Sequence, residues 1–249
     1  MKTKTLSAAF ALAIVAWAAP APAVAQESEP AVAGPRIIRT VEPVFPASLL
    51  PSHPKGGHAR LVLELSSTGE LADVLVTGYT ARGFANEALW CAKRWRYEPA
   101  RLHGQPIASQ WELLMTFEPS GNMVSMTAID SANELVNVGF QATDTYRPRR
   151  LDELDRPLTA TNTVQPAYPA PLQQRGLKGE VTIDFFIDEQ GNVRVPSLQE
   201  SDHNELGAHA AAALRQWKFE RPTVRGQPVL VKARQTFRFN PAATQEAGQ

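Results

Sequence analysis

Slid along itself by 122 positions, the chain matches. Gly57 falls on Gly179, Gly69 on Gly191, Trp95 on Trp217, Gly104 on Gly226 and Phe117 on Phe239. Upstream, "VEPVFP" from Val41 answers "VQPAYP" from Val164 with one residue of slack. A period this long is not that of a solenoid. It implies two copies of a domain of roughly 80 residues, a size at which one small core is sustainable. Any fold for this chain must therefore be buildable twice.

The second copy reads most clearly. In "GEVTIDFFID", Val181, Ile183, Phe185 and Ile187 alternate with Thr182, Asp184 and Asp188. Period two predicts a strand with one buried face. "DEQGN" predicts a hairpin turn, with Gly191 free to take a positive φ. Val193–Leu198 is a shorter strand. Leu206, Ala210, Ala213 and Trp217 lie on one helical stripe, and Pro222 is expected to stop that helix. Val229–Phe239 is a last strand, with Ala233, Gln235, Phe237 and Phe239 on one side and Lys232, Arg234 and Arg238 on the other. In the first copy, Leu61, Leu63 and Leu65 form the buried strand face and "SSTGEL" the turn. Phe84, Ala88, Cys91 and Trp95 form the helix stripe, and Trp111–Phe117 the last strand. Cys91 stands where the second copy has Ala213, so it reads as a small buried apolar residue. Trp95 and Trp217, at the ends of their stripes, read as core.

The N-terminus bears on compartment. Lys2 and Lys4 precede an uncharged apolar stretch from Leu6 to Ala19, then "APAVAQ" with Ala23 and Ala25 in an A-x-A pattern. This predicts a signal peptide cleaved after Ala25 and export to the periplasm. The alternative is a retained membrane anchor, since Leu6–Ala25 is about long enough to span a bilayer. The expected organisation is 1–25 signal peptide, 26–40 short N-terminal segment, 41–119 first domain and 120–163 inter-domain segment, followed by 164–240 second domain and 241–249 disordered tail. The inter-domain segment is too apolar for free disorder at "NMVSMTAI". It is able to supply a further strand, turning at Pro119–Gly121.

Basic and acidic residues balance at 25 each, so no electrostatic footprint points to nucleic acid. One cysteine excludes an intrachain disulfide and a cysteine-cluster metal site. His203 and His209 lie six apart, which does not fit a helical metal pair. "DEQGN" lacks the ligand ladder of a calcium loop. No nucleophile, phosphate-loop or paired-carboxylate pattern stands out. The expectation is a non-enzyme with no cofactor and no metal.

A P-x-aromatic-P lead-in, a "GEVTIDFFIDEQGNV" hairpin and a helix running into "WKFERP…GQPV" resemble the TonB C-terminal domain family. The first copy, with "EPVFP" and "WRYEPA", resembles it more loosely. The resemblance implies an α+β fold, a small antiparallel three-stranded sheet with helices packed on one face, in two tandem copies. It implies a periplasmic binding protein that docks on an extended segment, the TonB box, of an outer-membrane TonB-dependent transporter or on another envelope protein, linked to transmembrane transport. Docking is by strand addition, since an open edge offers a row of N–H and C=O groups. The candidate edges are Trp111–Phe117 and Val229–Phe239. The implied binding residues are Gln165, Pro166, Tyr168 and Pro169, with Val231, Lys232, Ala233, Arg234, Gln235, Thr236, Phe237 and Arg238. Here only Gln26–Thr40 precedes the first copy, on the order of 50 Å fully extended, unlike the long spacer of energy-transducing members.

Two other readings stay open. In one, the protein is a scaffold whose edges are used up internally: "NMVSMTAI" would block Trp111–Phe117, or the copies would self-associate through their edges. In the other, the N-terminal segment is kept and the protein is an atypical anchored transducer. Lys232, Arg234 and Arg238 read as a solvated strand face, with an acidic peptide partner as the opposing case.

Overall fold

A computed structural model describes residues 32–128, 144–176 and 178–240; the expected signal peptide and tail lie outside them. The first unit opens with β1 (Val32–Ala33) and β2 (Arg36–Arg39). Then come β3 (Gly57–Leu65), β4 (Leu71–Tyr79) and helix α1 (Arg82–Ala92). Three short strands follow: β5 (Arg96–Glu98), β6 (Ala100–Leu102) and β7 (Gln105–Ile107). Two long ones close the unit, β8 (Ser109–Glu118) and β9 (Gly121–Ala128). The main sheet has the order β4-β3-β8-β9 and is antiparallel. The alternation of β3 places Ala59, Leu61, Leu63 and Leu65 under α1, all fully buried with Phe84, Ala88 and Cys91. Cys91 is thus core, and burial pushes its thiol pKa up to about 12.

The second unit opens with β10 (Ala160–Asn162) and the short helix α2 (Ala170–Gln174). It continues through β11 (Gly179–Ile187), β12 (Val193–Ser201) and α3 (Asn204–Leu214). After β13 (Lys218–Phe219), β14 (Thr223–Val224) and β15 (Gln227–Pro228) it ends in β16 (Val231–Phe239). Its sheet has the order β12-β11-β16. Val181, Ile183, Phe185 and Ile187 pack under Leu206, Ala210 and Leu214. The bounds of β3, β4 and α1 fall 122 residues before those of β11, β12 and α3.

Two sequence expectations need correction. The first sheet has four strands rather than three, because β9 pairs along β8 from Glu118↔Gly121 to Trp111↔Ala128. The helices stop well before their prolines: α1 ends at Ala92 and α3 at Leu214, although Pro222 was expected to end α3. The tryptophans end them instead. Each follows its helix by a few residues and donates its indole N–H backward. Trp95 Nε1 reaches Val41 O at 2.8 Å, and Trp217 Nε1 reaches Val164 O at 2.8 Å. The chain then pairs as a strand, β5 on β2 and β13 on β10, so the helix cannot continue.

The turns are built alike. Ser66 Oγ accepts the N–H groups of Thr68 and Glu70, as Asp188 Oδ1 accepts those of Gln190 and Asn192. Gly69 and Gly191 sit at φ 82° and 86°, and a Cβ on either would collide with the carbonyl of Tyr97 or Phe219. At the two "GQP" sites the chain takes positive φ twice in succession, at His103–Gly104 and Arg225–Gly226. This is the signature of a tight hairpin turn whose twist matches its strands.

The sheet faces turned away from the helices meet each other. Val62 and Leu75 pack with Phe186, Val195 and Leu230 in a third buried cluster, flanked by Tyr146. The layers therefore run helix, sheet, sheet, helix, where sequence reading left the second face of each sheet open. Arg194 pairs with Asp73 across this interface and also donates to Val74 O at 3.1 Å. Arg215 pairs with Glu64, and Gln110 Nε2 reaches Pro196 O at 2.8 Å. Val195 sits at a register shift of β12 with φ 45°, a costly conformation for a β-branched residue. Its side chain is fully committed to the inter-unit core.

Candidate functional site

The site is the outer edge of β16. The strand bonds to β11 along its whole length, from Gly179↔Phe239 to Ile187↔Val231. Backbone groups in an antiparallel strand alternate sides. Lys232 N–H points outward, because it donates to Arg149 O at 3.2 Å, while Leu230 O accepts from Arg149 N at 2.7 Å. The N–H groups of Arg234, Thr236 and Arg238 therefore also face outward. Among the described residues no strand pairs with them; the only partner on this edge is the bridge Arg149↔Val231.

The two faces of β16 differ in chemistry. Ala233, Phe237 and Phe239 enter the core under α3, and Gln235 is half-buried. Tyr168 packs edge-on against Phe239 at 5.6 Å, so the lead-in motif does reach the end of this strand. Gln165 is exposed and makes no hydrogen bond to β16 among the described residues; Pro166 and Pro169 are half-buried. The motif is fixed by its neighbour Val164, through Trp217.

On the other face, the basic stripe is paired with carboxylates of its own sheet, while Arg234 and Arg238 stay exposed to solvent. Arg234 binds Asp184 through two nitrogens, at 2.6 and 3.1 Å, and Lys232 Nζ lies 3.5 Å from the same carboxylate. Arg238 Nε donates to Glu180 at 2.8 Å, and the hydroxyls of Thr182 and Thr236 meet at 3.0 Å. The bond to Asp184 raises the pKa of Arg234 above its usual value, whereas burial lowers that of Lys232. The stripe is thus paired with carboxylates of its own sheet.

The equivalent edge of the first unit is closed. Trp111–Phe117 was an expected docking edge, but β9 occupies its outer side throughout. Arg149 and Tyr146 escaped sequence reading altogether. They act through backbone groups and a ring stack, which leave no pattern in composition or spacing.

Residues 164–241 match the family model described as the Gram-negative bacterial TonB protein C-terminal. Among curated proteins, Protein TonB of Vibrio cholerae is 33% identical over 87 residues, covering 34% of this chain and 36% of the relative. Protein TonB of Xanthomonas campestris pv. campestris is 34% identical over 83 residues, covering 33% and 37%. Among solved structures, the solution NMR structure of the Pseudomonas aeruginosa TonB C-terminal domain shares 28% identity, with a TM-score of 0.32. It covers 37% of this chain and 92% of that one. The chain thus spans little more than a third of the curated relatives it matches. Residues 164–241 carry a TonB C-terminal domain. Proteins of that family are transducers rather than enzymes, in line with the sequence expectation.

Proposed function

We propose that this protein docks on extended segments of envelope proteins, outer-membrane TonB-dependent transporters foremost, by adding a strand to β16. One observation carries the reading: among the described residues, the outward N–H groups of Arg234, Thr236 and Arg238 have no partner strand on the edge of the domain that matches the TonB C-terminal family. Main-chain bonds to such an edge supply affinity, and flanking side chains supply selection. Tyr168, beside Phe239, lines the end of the edge, with Gln165, Pro166 and Pro169 on the same lead-in segment. The first unit is read as a diverged second copy of the domain, and the whole as a periplasmic protein linked to transmembrane transport. The scaffold reading fits the first unit alone, since β9 fills its edge.

The test is a proline at Thr236. Its N–H bonds nothing inside the sheet, so the variant keeps the β11 ladder and loses the outward donor; it also loses the hydroxyl contact with Thr182, for which Thr236→Val is the control. A peptide bearing a TonB box is titrated against the parent and Thr236→Pro. Loss of binding at an unchanged melting temperature supports the reading; equal binding by both sinks it. Intact mass of the exported protein separates cleavage after Ala25 from a retained anchor.

A further inference from the structure

Residues 144–149 leave the first unit and end on the edge of β16, held at nearly every step. Asp144 bonds to His58 Nε2 at 2.5 Å, with both side chains buried. Thr145 donates its N–H to Tyr79 O and its hydroxyl to Thr80 O, each at 3.0 Å. The Tyr146 ring stacks on Tyr79 at 4.8 Å and 3°, and its hydroxyl donates to Glu189 of the second unit. Pro148 is buried. Arg149 then bonds β16 through both its N–H and its C=O. Its guanidinium lies 3.4 Å from Glu153, which also accepts from Arg147 at 2.9 Å. The strap thus ends at a fixed place on the open edge.

The start of that edge is taken: Arg149 occupies Leu230 O and Lys232 N–H. Beyond it, Arg234, Thr236 and Arg238 point their N–H groups outward with no partner strand among the described residues. We infer that the strap is a register stop: Arg149 closes the first part of the β16 edge and confines an incoming strand to Ala233 onward. The inference rests on the docking reading above. The occupant is an extended segment of another protein that pairs along Arg234 to Arg238 and is free of proline where it must donate to Thr236 and its outward neighbours. A second copy of this chain fits poorly. Antiparallel pairing of two β16 strands about Thr236 sets Arg234 opposite Arg238, and like charges directly opposite are destabilising.

The test grafts the sequence of Pro119–Ala128 after Asn240 in the full chain, so that β16 acquires the hairpin that β8 already has. Residue-resolved amide exchange is the readout. The amides of Arg234, Thr236 and Arg238 are expected to slow by roughly tenfold or more, the range of one hydrogen bond gained. Those of Arg149 and Lys232 stay protected as in the parent. Protection of the edge with release of Arg149 would make the strap a competitor, and would overturn the stop while leaving the edge a docking site. No protection from Arg234 to Arg238, with the β11 ladder intact, would overturn the docking reading and the stop together. A free peptide of residues 121–128 gives the second arm. With the parent, the protection that the peptide adds begins at Arg234, because Lys232 is already held by Arg149 O; with residues 145–149 replaced by an equal length of glycine and serine, which frees both Leu230 O and Lys232 N–H, the peptide protects Lys232 as well. An identical boundary in both proteins also overturns the stop.

Discussion

β8 and β16 are the last strands of two units whose elements run 122 residues apart, yet one edge is closed and the other open. Among the described residues, β8 carries a partner strand from Trp111 to Glu118, while the outer edge of β16 carries a single bridge at Arg149. The closing strand follows β8 after a two-residue turn at Pro119–Ser120, at almost no loop entropy. The difference teaches that the β8 edge is closed by the segment that follows it, not by the strand itself. It also leaves these two units of like element order with one long bare edge among the described residues rather than two.

The comparison is broken most severely by attacking the cores. Trp95 is 3% exposed and Trp217 only half-buried, although both make the same indole bond. Trp95→Ala is expected to cost about 3–5 kcal/mol and Trp217→Ala distinctly less. Chemical denaturation of both variants measures the gap, and equal losses would mean that the units are anchored alike. Next in size is Arg234→Ala. It leaves Asp184, almost wholly buried, with only the more distant Lys232. A loss of about 1–3 kcal/mol follows from an under-satisfied buried group, read by thermal unfolding.

Opening the closed edge is a smaller change. Ser125 lies opposite Leu114 in the β8–β9 ladder, and Ser125→Pro removes a donor there. Exchange at Leu114 should quicken by roughly tenfold, the range of one net hydrogen bond, and the variant should gain a second peptide site. A binding stoichiometry that stays at one would show that the first edge cannot dock even when bare.

The smallest effect concerns the approach to β16. Asp155 accepts the N–H groups of Arg225, at 2.6 Å, and Gly226, at 2.8 Å, steadying the turn before the strand. These bonds hold its carboxyl below the usual aspartate range. A depressed carboxylate contributes stability that is present above its unfolded pKa and lost as pH falls through the folded one. Asp155→Asn should therefore flatten the acid limb of the stability curve below about pH 4 and leave neutral pH nearly unchanged. An unaltered acid limb would remove Asp155 from the account.

Much of this was legible in the sequence. Alternation fixed the buried faces of β3 and β11, and the shared spacing placed both turns and both helices. Tyr168 of the lead-in motif packs on Phe239, at the end of β16. The end of each helix was misread, because a proline looks like a terminator and a tryptophan N–H bonded to a distant carbonyl does not. The sheet-to-sheet interface was hidden for a related reason. Val62, Leu75 and Phe186 occupy the polar phase of their strands and read singly as exceptions; only together, with Val195 and Leu230, do they form a core. Arg149 was invisible because backbone hydrogen bonds carry no residue preference.

Residue-resolved amide exchange of both edges, with and without a peptide bearing a TonB box, tests the central claim most directly. The account predicts slow exchange at Glu112, Leu114 and Thr116 in both conditions. It predicts fast exchange at Arg234, Thr236 and Arg238 in the free protein, slowed when peptide is added. Protection appearing at the β8 set, or none at the β16 set under saturating peptide, would contradict it.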